Sequence, residues 1–334
     1  MIFSAFRSYL PGLLLIGALT LVAMVINHFF PLVSALLIAI VLGAIAANVR
    51  KTHKSLAPGI NFSAKHLLRS GIILLGLEVT LSSLAELGWQ RLLLVVVIVT
   101  LGVTLTIAFG RMLKMSESLV EVIACGFSIC GAAAVAGAKD IVKADDTETA
   151  TALALVVVFG TLCIPIVPAL ASLFNLDPVT AGTWVGGSVH EVAQVVAAGA
   201  ALGQPAMTVA IEVKLARVVC LAGVVAVLGL LRRRRAQLAS EHPENVKKMP
   251  ALVPGFVVGF LGMVIVGSVI AIPEPVLDVV KIVQTTLLAM AMTGLGFGIR
   301  FDELKQIGAK PVLLGLIASL VVSVVALGGA LLIG

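Results

Sequence analysis

Apolar runs long enough to cross a bilayer alternate with short polar segments from one end of the chain to the other. They fall at about 9–27, 32–49, 67–87, 90–110, 118–138, 148–173, 179–201, 206–231, 251–272, 276–299 and 308–333. A hydrocarbon core about 30 Å thick takes about 20 residues of helix. The pattern therefore predicts an all-α, polytopic membrane protein of about eleven transmembrane helices, one domain over 1–334. Helix-start signals punctuate it. Asp177-Pro178 reads as an N-cap followed by proline at the first helical position, and Pro205, Pro250, Pro275 and Pro311 sit at comparable starts. Ser118 and Glu121 fit a capping box, and Pro165 and Pro168 predict a kink in the sixth run.

Composition agrees with that reading. Hydrophobic residues make up 60% of the chain and charged residues 12%, against about 25% charged in soluble domains, which leaves no separate soluble domain. The net charge of +6 is topogenic rather than a nucleic-acid signal, because the basic residues sit in loops and there is no aromatic-basic interleaving. With the N-terminus in the cytoplasm and spans alternating, seventeen basic residues fall inside and four (Arg91, Lys139, Lys143, Lys281) outside, while Lys214 and Arg217 lie within a span. This follows the positive-inside rule and predicts an N-in, C-out orientation. The first run follows Arg7 and looks like a signal peptide, but no small-residue cleavage pattern follows it, so it reads as the first membrane helix. Cys125, Cys130, Cys163 and Cys220 lie in apolar runs without CxxC spacing, which points to free thiols and no metal site.

Polar residues at membrane depth carry the candidate chemistry, since each costs a few kcal/mol there, roughly 2.5–3.5 for Lys, Arg or Asp. The fifth run holds Cys125-Gly-Phe-Ser-Ile-Cys-Gly131 and continues in small residues to Gly137. Such glycines allow either close helix packing or a helix break whose amides face a ligand. Gly186-Gly-Ser-Val-His-Glu-Val-Ala-Gln194 lies in the seventh run. At i,i+4 spacing His190 and Gln194 share a helix face beside Glu191, as solute-lining groups or as an interhelical hydrogen-bond cluster. Its His-Glu-x-x-Gln lacks the second histidine of a zinc protease. Lys214 and Arg217 stand i,i+3 in the eighth run, two cations on one face. They require anionic company: Glu191, Glu121 or Glu78, a bound solute, or these in alternation. Glu78 is a second candidate protonatable group. An internal repeat aligns Gly76–Gly88 with Gly296–Gly308 on spans running in opposite directions, a trait of transporters.

These segments resemble the sulfate exporter (YeiH-like) family of bacterial inner-membrane proteins over nearly the whole chain. The likeness is carried by Ser128-Ile-Cys-Gly-Ala-Ala-Ala, Ser188-Val-His-Glu-Val-Ala-Gln-Val-Val-Ala-Ala-Gly199, Val213-Lys-Leu-Ala-Arg217 and Thr293-Gly-Leu-Gly-Phe-Gly-Ile299. The resemblance implies an inner-membrane secondary carrier grouped with the bile acid, arsenite and riboflavin transporters. In that group two inverted repeats build a core domain with broken, crossing helices and a second, panel-like domain. Eleven spans do not divide into two five-helix repeats without an extra helix, and the offset of 220 residues between Gly76 and Gly296 is long for such a unit.

The expected function is secondary active transport of a small anion, sulfate or an organosulfonate, by alternating access and in the direction of export. Lys214 and Arg217 attract the anion, Ser128, Cys130, Gly131 and neighbouring amides receive it, and His190 and Gln194 line the site. Glu191 is the proton-sensitive partner, ion-paired to a cation when the site is empty. No Walker-type motif is present, so a gradient drives transport. No cofactor and no enzymatic nucleophile–base–metal set is expected. The partners are the anion and the lipid bilayer, with a homodimer left open. The rivals are an anion channel, told apart by conductance without saturable exchange, and a structural or sensory membrane protein.

Overall fold

The computed structural model describes residues 2–30, 35–49, 53–78, 80–239, 255–298 and 308–334, and every regular element among them is helical. In chain order these are α1 (Ile2–Phe29), α2 (Ala35–Val49), α3 (Ala57–Phe62), a π-turn (Ser63–Leu67), α4 (Leu68–Leu75), a 3-10 turn (Gly76–Glu78) and α5 (Leu81–Glu86). There follow α6 (Trp89–Met112), α7 (Glu117–Ser128), α8 (Ala132–Val142), α9 (Asp146–Leu173), α10 (Pro178–Ser188) and α11 (Val192–Ala200). The last are α12 (Gln204–Ala239), α13 (Gly255–Val269), α14 (Glu274–Gly296) and α15 (Ala309–Ile333). Among the described residues six helical stretches are long and apolar enough to cross a membrane: Ser8–Phe29, Trp89–Met112, Asp146–Leu173, Gln204–Arg234, Glu274–Gly296 and Ala309–Ile333. Leu21, Val158, Ile282 and Val324 stand exposed on them, as side chains facing lipid do. The protein is polytopic and α-helical.

Two compact units form, one from residues 1–80 with 260–307 and the other from 81–259 with 308–334. In the first, glycines set close helix contacts. A methyl on Gly43 would clash with the Thr293 carbonyl oxygen, and one on Gly296 with that of Ile40. The Thr20 and Thr293 hydroxyls meet at 3.0 Å, and Ser63 Oγ donates to the Met290 carbonyl at 2.8 Å. Glu78 closes the 3-10 turn of this unit, and its side chain lies outside the described residues.

The second unit departs from the expectation of single spans at 118–138 and 179–201. Each of these runs breaks in its middle and folds back as a helical hairpin. In the first hairpin a methyl on Gly126 of α7 would touch Val135 of α8. Ser116 and Ser118, at the start of α7, donate to Glu148 in the first turn of α9, at 2.5 and 2.8 Å. The chain has therefore returned to the end from which it set out. In the second hairpin Gly182 and Gly186 of α10 pack on Ala206 and Ala210 of α12, while Gly199 of α11 packs on Met207. Thus α10 runs parallel to α12 and α11 runs against it.

The two hairpins meet α12 from opposite ends. Ala206 lies beside the base of the second, and Arg232 binds Glu121 near the base of the first, Nη2 to Oε2 at 2.7 Å. Those positions are 26 residues apart, about 39 Å of helix at 1.5 Å per residue. Outside the hairpins, α6 and α15 pack antiparallel, with Leu94 against Gly329 and Gly102 against Val322. Gly88 and Gly308, the closing glycines of the sequence repeat, are the residues immediately before these two helices. Residues 299–307 of its second copy lie outside the described residues.

The capping signals divide. Asp177 accepts the Val179 and Thr180 amides at 3.0 and 3.1 Å, with Pro178 at the first helical position. Ser118 and Glu121 form no capping box. The N-cap of α7 is Ser116, and the two side chains are engaged by Glu148 and Arg232 instead. A capping box closes on Asp145 and Glu148 at the start of α9, a helix that continues through Pro165 and Pro168.

Candidate functional site

The breaks in the hairpins follow from their sequences. In the first, Gly131 takes φ +74° and ψ −130°, a conformation that disfavours any side chain. A methyl there would also stand 2.5 Å from Cγ of Glu191. In the second, Val189 and Glu191 are extended, with φ −71°, ψ 145° and φ −118°, ψ 150°. The i,i+4 relationship of His190 and Gln194 therefore does not exist as a shared helix face. His190 sits in the break, and its Nε2 meets Ser319 Oγ of α15 at 2.9 Å. Gln194 lies in the first turn of α11, accepts the Glu191 amide at 3.1 Å and packs with its Oε1 where a methyl on Gly160 of α9 would clash.

A helix ends with carbonyl groups that have no intrahelical partner. Here two helices, α7 and α10, end inside the protein, and Lys214 and Arg217 of α12 supply the missing donors. Lys214 Nζ donates to the carbonyls of Ile129 at 2.8 Å and Val189 at 2.9 Å. Arg217 donates through Nε to Ser128 at 3.2 Å and through Nη2 to Phe127 at 3.0 Å. Its Nη1 reaches Gly186, Gly187 and Val189 at 3.0, 2.8 and 3.1 Å. Both side chains are completely buried. Burying a cation costs several kcal/mol, whereas hydrogen bonds to a charged group contribute roughly 1.5–3 kcal/mol each. These seven bonds, placed at the negative ends of two helix dipoles, are what hold the pair inside.

Of the anionic partners expected for the cations, Glu121 and Glu191 are engaged elsewhere, and the side chain of Glu78 lies outside the described residues. Among the described residues neither Lys214 nor Arg217 forms an ion pair with a carboxylate. Glu121 pairs with Arg232. Glu191 Oε1 accepts the amide of Ala132, at the start of α8, at 3.1 Å. A carboxylate of one hairpin thus occupies the positive end of the returning helix of the other.

The structure brings Ser128, Cys130, Gly131, His190, Glu191, Gln194, Lys214 and Arg217 together at the two tips. All the polar side chains among them are fully buried except Glu191, which is half-buried. Cys130 is buried with a free thiol. Sequence reasoning missed Ser319, which holds His190, and Gly160, which admits Gln194. A lone serine or glycine in an apolar run gives no signal until the helix beside it is known. Nor did it find Ser323, which receives the Trp184 Nε1 hydrogen bond through its carbonyl at 3.1 Å and its Oγ at 3.0 Å.

Fold and site define a polytopic membrane protein with a polar, charge-bearing centre built from two discontinuous helical segments. The chain belongs to the family described as "Conserved hypothetical protein 698", which it matches over residues 11–315. Among its relatives is a UPF0324 membrane protein of Corynebacterium glutamicum, 44% identical over 98% of this chain and 93% of its own length. Another, from Pseudomonas aeruginosa, is 37% identical over 98% and 94%, and a third, from Staphylococcus epidermidis, is 30% identical over 96% and 96%. No solved structure matches the chain.

Proposed function

We propose that this protein is a secondary transporter of a small anion in the bacterial inner membrane. The observation that carries the reading is the junction at Lys214 and Arg217, where two hairpins entering from opposite ends of one membrane-length helix are capped by the same cations. A membrane protein maintains such a costly polar centre where a polar solute must pass. Interrupted helices with their dipole ends turned inward suit that task.

The charge of the centre favours an anion. Each helix terminus carries about half a unit charge. The C-termini of α7 and α10 offset about one of the two cationic charges, the N-termini of α8 and α11 restore about one, and Glu191 removes one. About one positive charge is left for the solute. Sulfate or an organosulfonate fits, as the resemblance to the sulfate exporter family suggests.

In this reading the hairpins are re-entrant and do not cross. The crossings are α1, α2, the rod from α3 through α4, α6, α9, α12, α13, α14 and α15, with the N-terminus inside. The positive-inside bias then sharpens. Lys139 and Lys143 move to the cytoplasmic side, which leaves Arg91 and Lys281 as the basic residues outside. Each hairpin tip reaches the centre from one face of the membrane, so alternating access amounts to loosening one tip at a time. A gradient supplies the energy, and no enzymatic step is involved.

Flux of labelled sulfate into proteoliposomes tests the proposal. Saturable uptake accelerated by sulfate on the far side is expected. Conductance without such exchange would identify a channel, and no flux of any small anion above protein-free vesicles would end the transport reading.

A further inference from the structure

Three polar atoms beside the hairpin tips lack a well-formed hydrogen bond: Thr106 Oγ1, Ser128 Oγ and His190 Nδ1, the last beside the Phe127 carbonyl. All three residues are completely buried. Contacts place Ser128 and His190 along one seam between α6, α7 and α15, and helical spacing brings Thr106 to it. Ser128 Oγ faces α6, where a methyl on Gly102 would stand 2.6 Å from it and 3.0 Å from Val322 of α15. Thr106 is one helical turn beyond Gly102 on α6. His190 reaches the seam through Ser319, one turn before Val322 and Ser323 on α15. The Phe127 ring, 4.6 Å from the imidazole, adjoins Ser128 in sequence and closes the group.

Buried hydroxyl and imidazole groups are nearly always paired, because an orphaned one forfeits its hydration for nothing. Three orphans in one seam, in a protein whose other tip residues are so fully bonded, mark a place that receives a polar ligand. Its chemistry can be read from the groups present. When Ser319 donates its hydroxyl hydrogen to Nε2, the ring proton sits on Nδ1, and Nδ1 becomes a donor. Two hydroxyls, each free to donate, and one imidazole N–H then offer three donors and no charge. Among the described residues no carboxylate is bonded to any of them.

We infer that Thr106, Ser128 and His190, with Ser319 fixing the imidazole, form an uncharged oxyanion subsite of the transported solute. The inference rests on the transport reading above and refines it. Lys214 and Arg217 are positioning residues, which hold the tips and supply the positive field while their N–H groups stay on the tip carbonyls. Contact with the solute oxygens falls to neutral donors, which bring no net charge of their own and so suit a ligand that must be released again.

The test uses the full chain in detergent with inorganic sulfate as the probe and chloride as the control, reading thermal unfolding with and without each salt. Thr106→Val and Ser128→Ala remove one hydroxyl apiece at nearly constant shape. If the hydroxyls face a ligand, the unliganded melting temperature stays level or rises, because an orphan has been replaced by an apolar group. Apparent sulfate affinity should fall about tenfold for each donor removed, with no matching change for chloride. Variants that melt lower without ligand yet keep the full sulfate shift would assign the hydroxyls to structure and overturn the subsite. Unchanged stability together with an unchanged sulfate shift overturns it as well. Transport stands apart from both outcomes: parent protein that moves sulfate while both variants bind it normally loses the subsite alone. Parent protein that neither binds nor moves sulfate loses both.

Discussion

The carboxylate of Glu191, at the entry to α11, accepts the amide of Ala132, at the entry to α8, across 3.1 Å. One hairpin thereby supplies the negative charge that the dipole of the other favours. A tethered carboxylate in this position competes with any solute anion nearby.

Glu191→Gln keeps an acceptor for Ala132 and removes the charge. Two like charges about 8 Å apart repel by about 2 kcal/mol at an effective dielectric of about 20, so anion binding should tighten on the order of tenfold. Calorimetry on the purified variant measures this. Weaker binding would show that the carboxylate assists the anion rather than opposing it.

Arg217 makes five of the seven cationic bonds to the tips. Arg217→Met removes them and leaves buried carbonyls unpaired, an expected loss of about 3–5 kcal/mol. Arg217→Lys restores the charge without the fork and should recover only part of that. Chemical denaturation of the solubilised protein reads both. Were the guanidinium a direct solute ligand with no role in the tips, Arg217→Lys would leave unliganded stability intact.

Gly131→Ala meets two obstacles, a backbone at φ +74° and Glu191 Cγ at 2.5 Å. The first alone costs on the order of 1–3 kcal/mol, since that backbone region is essentially reserved for glycine. Gly160→Ala would drive a methyl into Gln194 Oε1, displacing the side chain that braces the second tip. Both variants should reach the membrane and transport poorly, with the larger stability loss at Gly131. Wild-type flux in either would show that the tips tolerate rearrangement.

Asp177 lies outside the membrane-spanning helices, at the entry to α10. Hydrogen bonds from the Thr180 side chain and amide, and from the Val179 amide, hold its carboxyl below the usual carboxylate range. A depressed carboxyl contributes stability above its unfolded pKa and loses it as pH falls through the folded one. The cap should therefore hold at neutral pH and fade below about pH 4. Asp177→Ala should cost about 1 kcal/mol at neutral pH, with the gap to the parent narrowing in acid. A constant gap from neutral to acid would mean that the charge contributes nothing.

Apolar runs announced the membrane and the helices because burial in lipid is a matter of local composition. Asp177 announced its helix start because a cap is satisfied within three residues. The chemistry at Ser128, His190, Glu191, Lys214 and Arg217 was equally visible, since a polar group in an apolar run stands out whatever its neighbours. The folding back of 117–142 and 178–200 was hidden in their hydropathy. A hairpin of two short helices and a single span bury the same kinds of side chain. What separates them is whether some distant group can satisfy carbonyls that end in mid-bilayer.

Composition and short-range pattern thus determined by themselves that this is an α-helical membrane protein with a polar centre. Tertiary structure decided what that centre is. Lys214 and Arg217 lie at least 25 residues from every carbonyl they bind, and Ser319 lies 129 residues from His190. Hydrogen bonds between residues so far apart in sequence exist only once the helices are packed, because their partners are chosen by proximity in space and leave no periodicity along the chain.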